Sequence, residues 1–241
     1  MAFIKTIAVF FVTVSTLLFL VPFGCLGFVL SVLGLKKPMA WFMHKIAQCW
    51  ARLLIVCTGC SVEVRNRENI PPNGGLCFVS NHGSIFDIVL ALAYIGRPFG
   101  FIAKKELLLI PFLNMWIFLL GGFFIDRKQP RNALKTINSG IRSLKAGGCM
   151  LIFPEGRRSR GEGLLPFHPG SFKLATQSGV PVVPISITGS YDVFEKNRRV
   201  RAVPVRVVFG VPVATEDLPP ENRKQLLADQ VHAVVAAGLE G

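Results

Sequence analysis

The chain has 241 residues, enough for one domain with an appendage and for a sizeable core. Lys and Arg outnumber Asp and Glu by 27 to 14, a formal net charge of +13, so the surface should seek an anionic partner. No zinc-finger spacing or RNP-like aromatic motif accompanies that charge, and 51% of the residues are hydrophobic, which argues against nucleic acid and for an anionic membrane surface.

From Thr6 to Leu35 there is no charged residue. A straight helix over that run would reach about 45 Å, longer than a hydrocarbon core of about 30 Å. Pro22-Phe23-Gly24 interrupts it, so two geometries are open: one tilted span, or a hairpin whose short arms dip into one leaflet. The run outlasts a signal-peptide h-region, and no A-x-A-like site follows it. Residues 38–57 are amphipathic, with Lys45, Gln48 and Arg52 as a polar stripe and Trp41, Phe42, Ile46, Trp50 and Leu53 elsewhere. Trp beside Lys and Arg suits the headgroup boundary, and His44, next to the stripe, reads as a surface residue. Residues 1–60 are therefore expected to form a membrane-associating helical segment.

The domain over 61–241 opens with Val62-Glu63-Val64 and a turn-rich stretch from Asn69 to Gly75. Strand-like runs at 75–80, 99–104, 121–126, 148–153, 181–187 and 203–209 alternate with helical patterns at 85–95, 106–119, 130–146, 169–178 and 221–237. Such alternation predicts an α/β domain with a mostly parallel central sheet flanked by helices. Leu107 to Leu120 is apolar almost all round, so its helix should be buried or touch lipid. The six cysteines sit mostly in apolar runs, and nothing answers the Cys57-x2-Cys60 spacing. Reduced thiols, a cytosol-facing domain and no metal site are expected.

Chemistry-bearing residues gather near predicted strand ends, where open α/β sheets place their sites. The run Leu76 to Val79 ends at Asn81-His82-Gly83, and Asp87 follows five residues after His82, in the first turns of a helix. From there Asp87 could hold one ring nitrogen of His82 and leave the other free to take a proton; a turn histidine beside a helix-start acid fits the same spacing. Lys104 closes the next strand, and Asp126-Arg127 the one after. Pro154-Glu155-Gly156 then leads into Arg157, Arg158 and Arg160, planar forks that match phosphate oxygens. Between Asp126 and Arg160 nine basic residues face two acidic ones, which marks either a phosphate site or a solvated basic loop.

These blocks occur in a telling order. His82-x4-Asp87, Phe124-Ile125-Asp126-Arg127, Phe153-Pro154-Glu155-Gly156-x-Arg158-Ser159 and Val180-Pro181-Val182-Val183-Pro184-Ile185 together resemble the glycerolipid acyltransferase family. The closest likeness is to bacterial 1-acyl-sn-glycerol-3-phosphate acyltransferases, over roughly 60–190. The resemblance implies that His82 is the general base and Asp87 its orienting partner. It places Arg158, Glu155, Gly156, Arg127 and Lys104 around the acceptor's phosphate. Val180, Pro181, Val183 and Pro184 fall in the block associated with the acyl-chain side. Two departures stand out: Arg157 replaces the usual Thr, and His168 stands where Lys is more common, which suits a lining residue. The implied reaction transfers an acyl group from acyl-CoA or acyl-ACP, as co-substrate and with no cofactor, to the sn-2 hydroxyl of lysophosphatidic acid in the membrane. The implied location is the cytoplasmic face of the inner membrane. Another lyso-lipid acceptor, such as a lyso-ornithine lipid, and a non-catalytic basic membrane-binding protein are the competing readings. The absence of Gly-x-Ser-x-Gly and of any Cys paired with a His favours direct transfer without an acyl-enzyme.

Overall fold

A computed structural model describes residues 2–126 and 128–240, with Lys36, Lys37 and Pro130 traced by backbone alone. Fifteen strands and helices follow in order: α1 (Ala2–Val32), α2 (Lys36–Thr58), β1 (Ser61–Arg65), β2 (Leu76–Ser80), α3 (Phe86–Tyr94), β3 (Gly100–Lys104), α4 (Leu113–Leu119), β4 (Phe123–Ile125), α5 (Pro130–Lys145), β5 (Cys149–Ile152), α6 (Lys173–Ser178), β6 (Val182–Thr188), α7 (Ser190–Val193), β7 (Pro204–Phe209) and α8 (Arg223–Glu240). The strands form one seven-stranded sheet in the order β1-β7-β6-β2-β5-β3-β4. Every pairing is parallel except β6 with β7. The expected mostly parallel α/β sheet is therefore present.

Strand residues alternate between two apolar layers. Leu76, Phe78, Leu151 and Val183 pack with Ala47, Ala51 and Ile55 of α2 and Leu90 of α3 on one face. Cys77, Val79, Met150, Ile152 and Val182 pack with Leu144, Leu174, Leu227 and Val231 on the other, under α5, α6 and α8. A strand buried on both faces needs apolar residues at every position, as Leu76 to Val79 supply.

The N-terminal run is one continuous helix. Pro22 sits inside α1 without ending it, so the hairpin geometry does not occur. Small residues follow the proline: Gly24, Gly27 and Ser31 are the buried positions of α1, and they let it close on Met115, Trp116 and Met43. The rest of the helix is bare. Phe11 is 70% exposed and Phe19 69%. α1 also bonds to the domain along its length: Thr6 Oγ1 accepts from the Val200 amide at 2.8 Å, Thr16 Oγ1 accepts from Trp50 Nε1 at 3.1 Å, and Phe28 meets Phe118 at 5.5 Å between ring centres.

α2 is amphipathic as expected. The face it turns to the domain is mostly apolar, with Met43, Ala47, Ala51, Leu54 and Ile55 buried and Gln48 buried beside them. Gln48 Nε2 and Arg52 Nε both donate to the Ala93 carbonyl at the end of α3, while Lys45 and Arg52 stay exposed. Trp41, Phe42, Leu53 and Val56 are exposed as well. His44 is 2% exposed, not on the surface, and sits edge-on to Phe99. Burial, with Lys45 nearby, pushes its pKa down to about 4. The helix expected over 106–119 is broken at Pro111. A 3-10 turn over Lys105–Leu109 precedes it and α4 follows, because the residue before a proline avoids helical geometry and the proline itself offers no N–H. Leu109, on that corner, is 84% exposed.

Candidate active site

Strands β2, β5, β3 and β4 run parallel, so the loops after Ser80, Ile152, Lys104 and Ile125 all emerge from one edge of the sheet. His82 lies on the turn between β2 and α3, three residues past Val79, the register partner of Ile152. Asn81 fixes that turn: its Oδ1 accepts from the Ile187 amide at 2.8 Å and its Nδ2 donates to the Ile187 carbonyl at 2.9 Å. The carbonyl of His82 accepts from the Ser159 amide at 2.8 Å, and its own amide donates to Glu155 Oε1 at 2.7 Å. The loops carrying His82 and Arg158 are thus tied together at both backbone groups of the histidine.

The imidazole lies on Phe153, ring centres 4.0 Å apart and planes 19° from parallel. Its Nδ1 is 2.8 Å from Oδ2 of Asp87, a carboxylate with no exposed surface. That same oxygen accepts from the Ser84 amide at 2.9 Å. An ionised carboxylate only accepts, so Nδ1 carries the proton and Nε2 is left with its lone pair. The side chain keeps 16% of its surface open, enough to meet a substrate hydroxyl.

Arg158 Nη1 pairs with Oε1 of Glu195, and Oε2 of that residue accepts from the Ile85 amide at 3.0 Å. Arg158 is thereby held against the first residues of the helix that carries Asp87. Arg157 turns away, pairing with Glu162 at 2.6 Å where both side chains are more than half exposed. Of the two, Arg158 is the arginine linked through Glu195 to the start of α3. Lys104 ends β3, two strands from β2, a lateral separation of about 10 Å at the usual strand spacing. Its neighbour Lys105 pairs with Asp126 at 3.0 Å, and that hydrogen bond holds the Asp126 carboxyl below its ordinary range. Arg127 lies outside the described residues.

Glu155 is 3% exposed, and burial raises its carboxyl to about 7. Gly156 has φ +72°, the left-handed turn that lets the chain reverse after β5. Val180, Pro181, Val183 and Pro184 occupy the start of β6 and the residues before it, in the middle of the sheet. Val180 and Val183 are core residues on opposite faces, and Pro184 packs near Gly210. They do not gather with His82 and Arg158. His168 donates its backbone N–H to the Pro154 carbonyl, which makes it part of the frame of the Glu155 turn.

Two members of the site carried no motif. Glu195 is remote in sequence from both of its partners, in a charged stretch that reads as loop, and Asn81 looked like a turn residue. The amides at the start of α3 are taken: Ser84 by Asp87, Ile85 by Glu195 and Phe86 by the Ser84 hydroxyl.

The raised Glu155 carboxyl makes a pH prediction. Between its ordinary value of 4.5 and about 7 the folded protein holds a proton that the unfolded chain has lost. Stability contributed by this group therefore falls as pH rises across that window and is level above it. Glu155→Gln keeps an acceptor for the His82 amide and has nothing to titrate. Thermal melts of both proteins from pH 5 to 8 should show the variant gaining on the wild type up to about pH 7 and no further. Parallel profiles would count against a proton on Glu155.

A family model described as Acyltransferase matches residues 61–188. The chain is 32% identical over 201 residues to the 1-acyl-sn-glycerol-3-phosphate acyltransferase of Escherichia coli, covering 83% of this chain and 76% of that one. It is 32% identical over 213 residues to a protein of the same name from Chlamydomonas reinhardtii, covering 86% of this chain and 61% of that longer one. The crystal structure of the 1-acyl-sn-glycerophosphate (LPA) acyltransferase PlsC from Thermotoga maritima matches with a TM-score of 0.83 at 28% identity, over 100% of this chain and 97% of that one.

Proposed function

The chain belongs to the acyltransferase family, and from that premise we propose that it acylates the sn-2 hydroxyl of 1-acyl-glycerol-3-phosphate, using an acyl thioester and yielding phosphatidic acid. The observation that carries this reading is the His82–Asp87 pair set beside Arg158 on one edge of the sheet. Nε2 takes the proton of the acceptor hydroxyl as its oxygen attacks the thioester carbonyl. The new C–O bond forms, the C–S bond breaks, and the proton passes from the imidazolium to the departing thiolate. Asp87 keeps the ring in its working tautomer and stabilises the transient imidazolium.

Among the described residues no cysteine is hydrogen-bonded to a histidine that would activate it as an acyl carrier. Cys77 lies in the core, where burial pushes its thiol up to about 12, and burial also raises Cys149. Direct transfer between two bound substrates is the simpler course, with proximity as its main source of rate. Both thioester donors, acyl-CoA and acyl carrier protein, are anionic and suit the basic surface. The test is direct: full-length protein with lysophosphatidic acid and each donor in turn should form phosphatidic acid. No product with either donor would sink the reading.

The membrane element fits a lipid acceptor. α1 is held against the domain from Thr6 to Phe28, about 33 Å of helix. A helix so fastened cannot cross a core of about 30 Å without drawing the polar domain in with it. It lies instead in one leaflet, with the outward apolar faces of α1 and α2 in the acyl region and the domain on the cytoplasmic side. The full chain should therefore stay on anionic vesicles at about 1 M salt, where surface charge is screened within about 3 Å. Phe11→Ser with Phe19→Ser should weaken co-flotation under the same conditions. Wild-type release by salt alone would mean that charge, not insertion, holds it.

A further inference from the structure

We propose that Glu195 is an internal stand-in for the acceptor's phosphate. In the free enzyme its carboxylate holds the Arg158 guanidinium and the Ile85 amide, and it yields both when the lyso-lipid binds. The inference rests on the acyl-transfer reading above and assigns a residue that no sequence block contains.

Four observations support it. The contact is not local: Glu195 is 37 positions from Arg158 and 110 from Ile85, and it comes from the connection between α7 and β7. Its two oxygens are divided between a guanidinium fork and a backbone N–H near a helix start, the donor set that suits two oxygens of a phosphate. The neighbouring amides are held differently. Ser84 and Phe86 bond to acceptors within three residues, whereas the Ile85 amide alone of these three depends on a side chain from another element. The site can be reached from solvent: Ile85 is 59% exposed, and Arg158 and Glu195 keep 34% and 16% of their side-chain surface.

A carboxylate and a phosphate cannot share these donors, because two anions at contact repel strongly where solvent is partly excluded. Binding is therefore an exchange of one anion for another. The exchange keeps Arg158 aligned in the empty enzyme and spares the Ile85 amide a spell without an acceptor. It also sets specificity. A phosphomonoester brings enough charge to displace Glu195, whereas a headgroup whose phosphate is esterified to a cation does not. Glu195 is a positioning residue in this scheme, acting through Arg158.

The experiment measures binding of lysophosphatidic acid and of lysophosphatidylcholine, in the same detergent, to full-length wild type, Glu195→Gln, Glu195→Ala and Glu195→Gln with Arg158→Ala. Steady-state kinetics on each protein runs alongside. Glu195→Gln keeps the shape of the side chain and one acceptor oxygen, for either the Arg158 guanidinium or the Ile85 amide, while removing the charge that competes. Both single variants should bind lysophosphatidic acid about tenfold more tightly, the scale of one charged hydrogen bond. The gain should appear in KM rather than kcat, with the preference over lysophosphatidylcholine altered, and Glu195→Gln with Arg158→Ala should bind more weakly than Glu195→Gln alone, since the fork is gone. Weaker or unchanged binding in both single variants would make Glu195 a fixed prop for Arg158 and overturn the proposal. If the wild type makes phosphatidic acid and the variants bind no better, only the Glu195 assignment falls. If it makes none with either donor, the underlying reading falls with it.

Discussion

Replacing His82 with Ala should lower turnover by roughly 10²- to 10⁴-fold, the usual contribution of a positioned general base, while KM for the acceptor moves only a few-fold. The split follows from the geometry. On the proposed reading the imidazole meets the reacting hydroxyl, whereas the headgroup binds on the Arg158 side of the turn. The backbone of residue 82, which holds the turn through Glu155 and Ser159, survives the substitution. Removing the ring also bares Phe153, so a melting experiment should accompany the kinetics. His82→Gln gives a second reading, since it covers more of that ring without supplying a base. Turnover near wild type in a folded His82→Ala protein would remove the base from this site.

The sheet was legible because its strands are short apolar runs closed by turn residues. Leu76 to Val79 before Asn81-His82-Gly83 is the plainest case. The sequence also pointed to the edge where the chemistry gathers, since parallel strands deliver their following loops to one side. The four ordered blocks led to the acyltransferase family, which the family model and the relatives bear out. Direction was harder to read. The antiparallel pairing of β7 is explained by its connection from β6, which holds only the short α7 and no crossover helix.

The periodicity of residues 38–57 showed that α2 has two faces, but not which residues would meet protein. Gln48 and His44 are buried beside Met43, Ala47 and Ala51, whereas Trp41 and Val56 are exposed. Glu195 was invisible for another reason. Its partners come from a different loop and a different helix, and nothing in a stretch such as Glu195-Lys196-Asn197-Arg198 reveals what folding will bring beside it. The break at Pro111 was missed in the helix expected over 106–119, although a proline inside a helical pattern is itself the signal for one.

The second large effect concerns the two arginines that the sequence could not rank. Arg158→Ala should raise KM for lysophosphatidic acid roughly ten- to hundredfold, the range expected when hydrogen bonds to a charged group are lost. Turnover at saturating acceptor should change far less, because binding and not the proton transfer has been weakened. Arg158→Lys should recover only part of the loss, since an ammonium is a point charge and not a fork. Arg157→Ala should stay within about threefold of wild type, because that side chain is spent on an exposed pair with Glu162, and such pairs contribute little. Arg158→Ala also leaves the Glu195 carboxylate without its guanidinium, facing the incoming phosphate as a bare negative charge. Part of the rise in KM is therefore repulsion, and adding Glu195→Gln to Arg158→Ala should recover that part without restoring the fork. Kinetics with acceptor varied at saturating donor measures all four proteins. An unchanged KM in Arg158→Ala, or a large rise in Arg157→Ala alone, would move the phosphate to the other arginine.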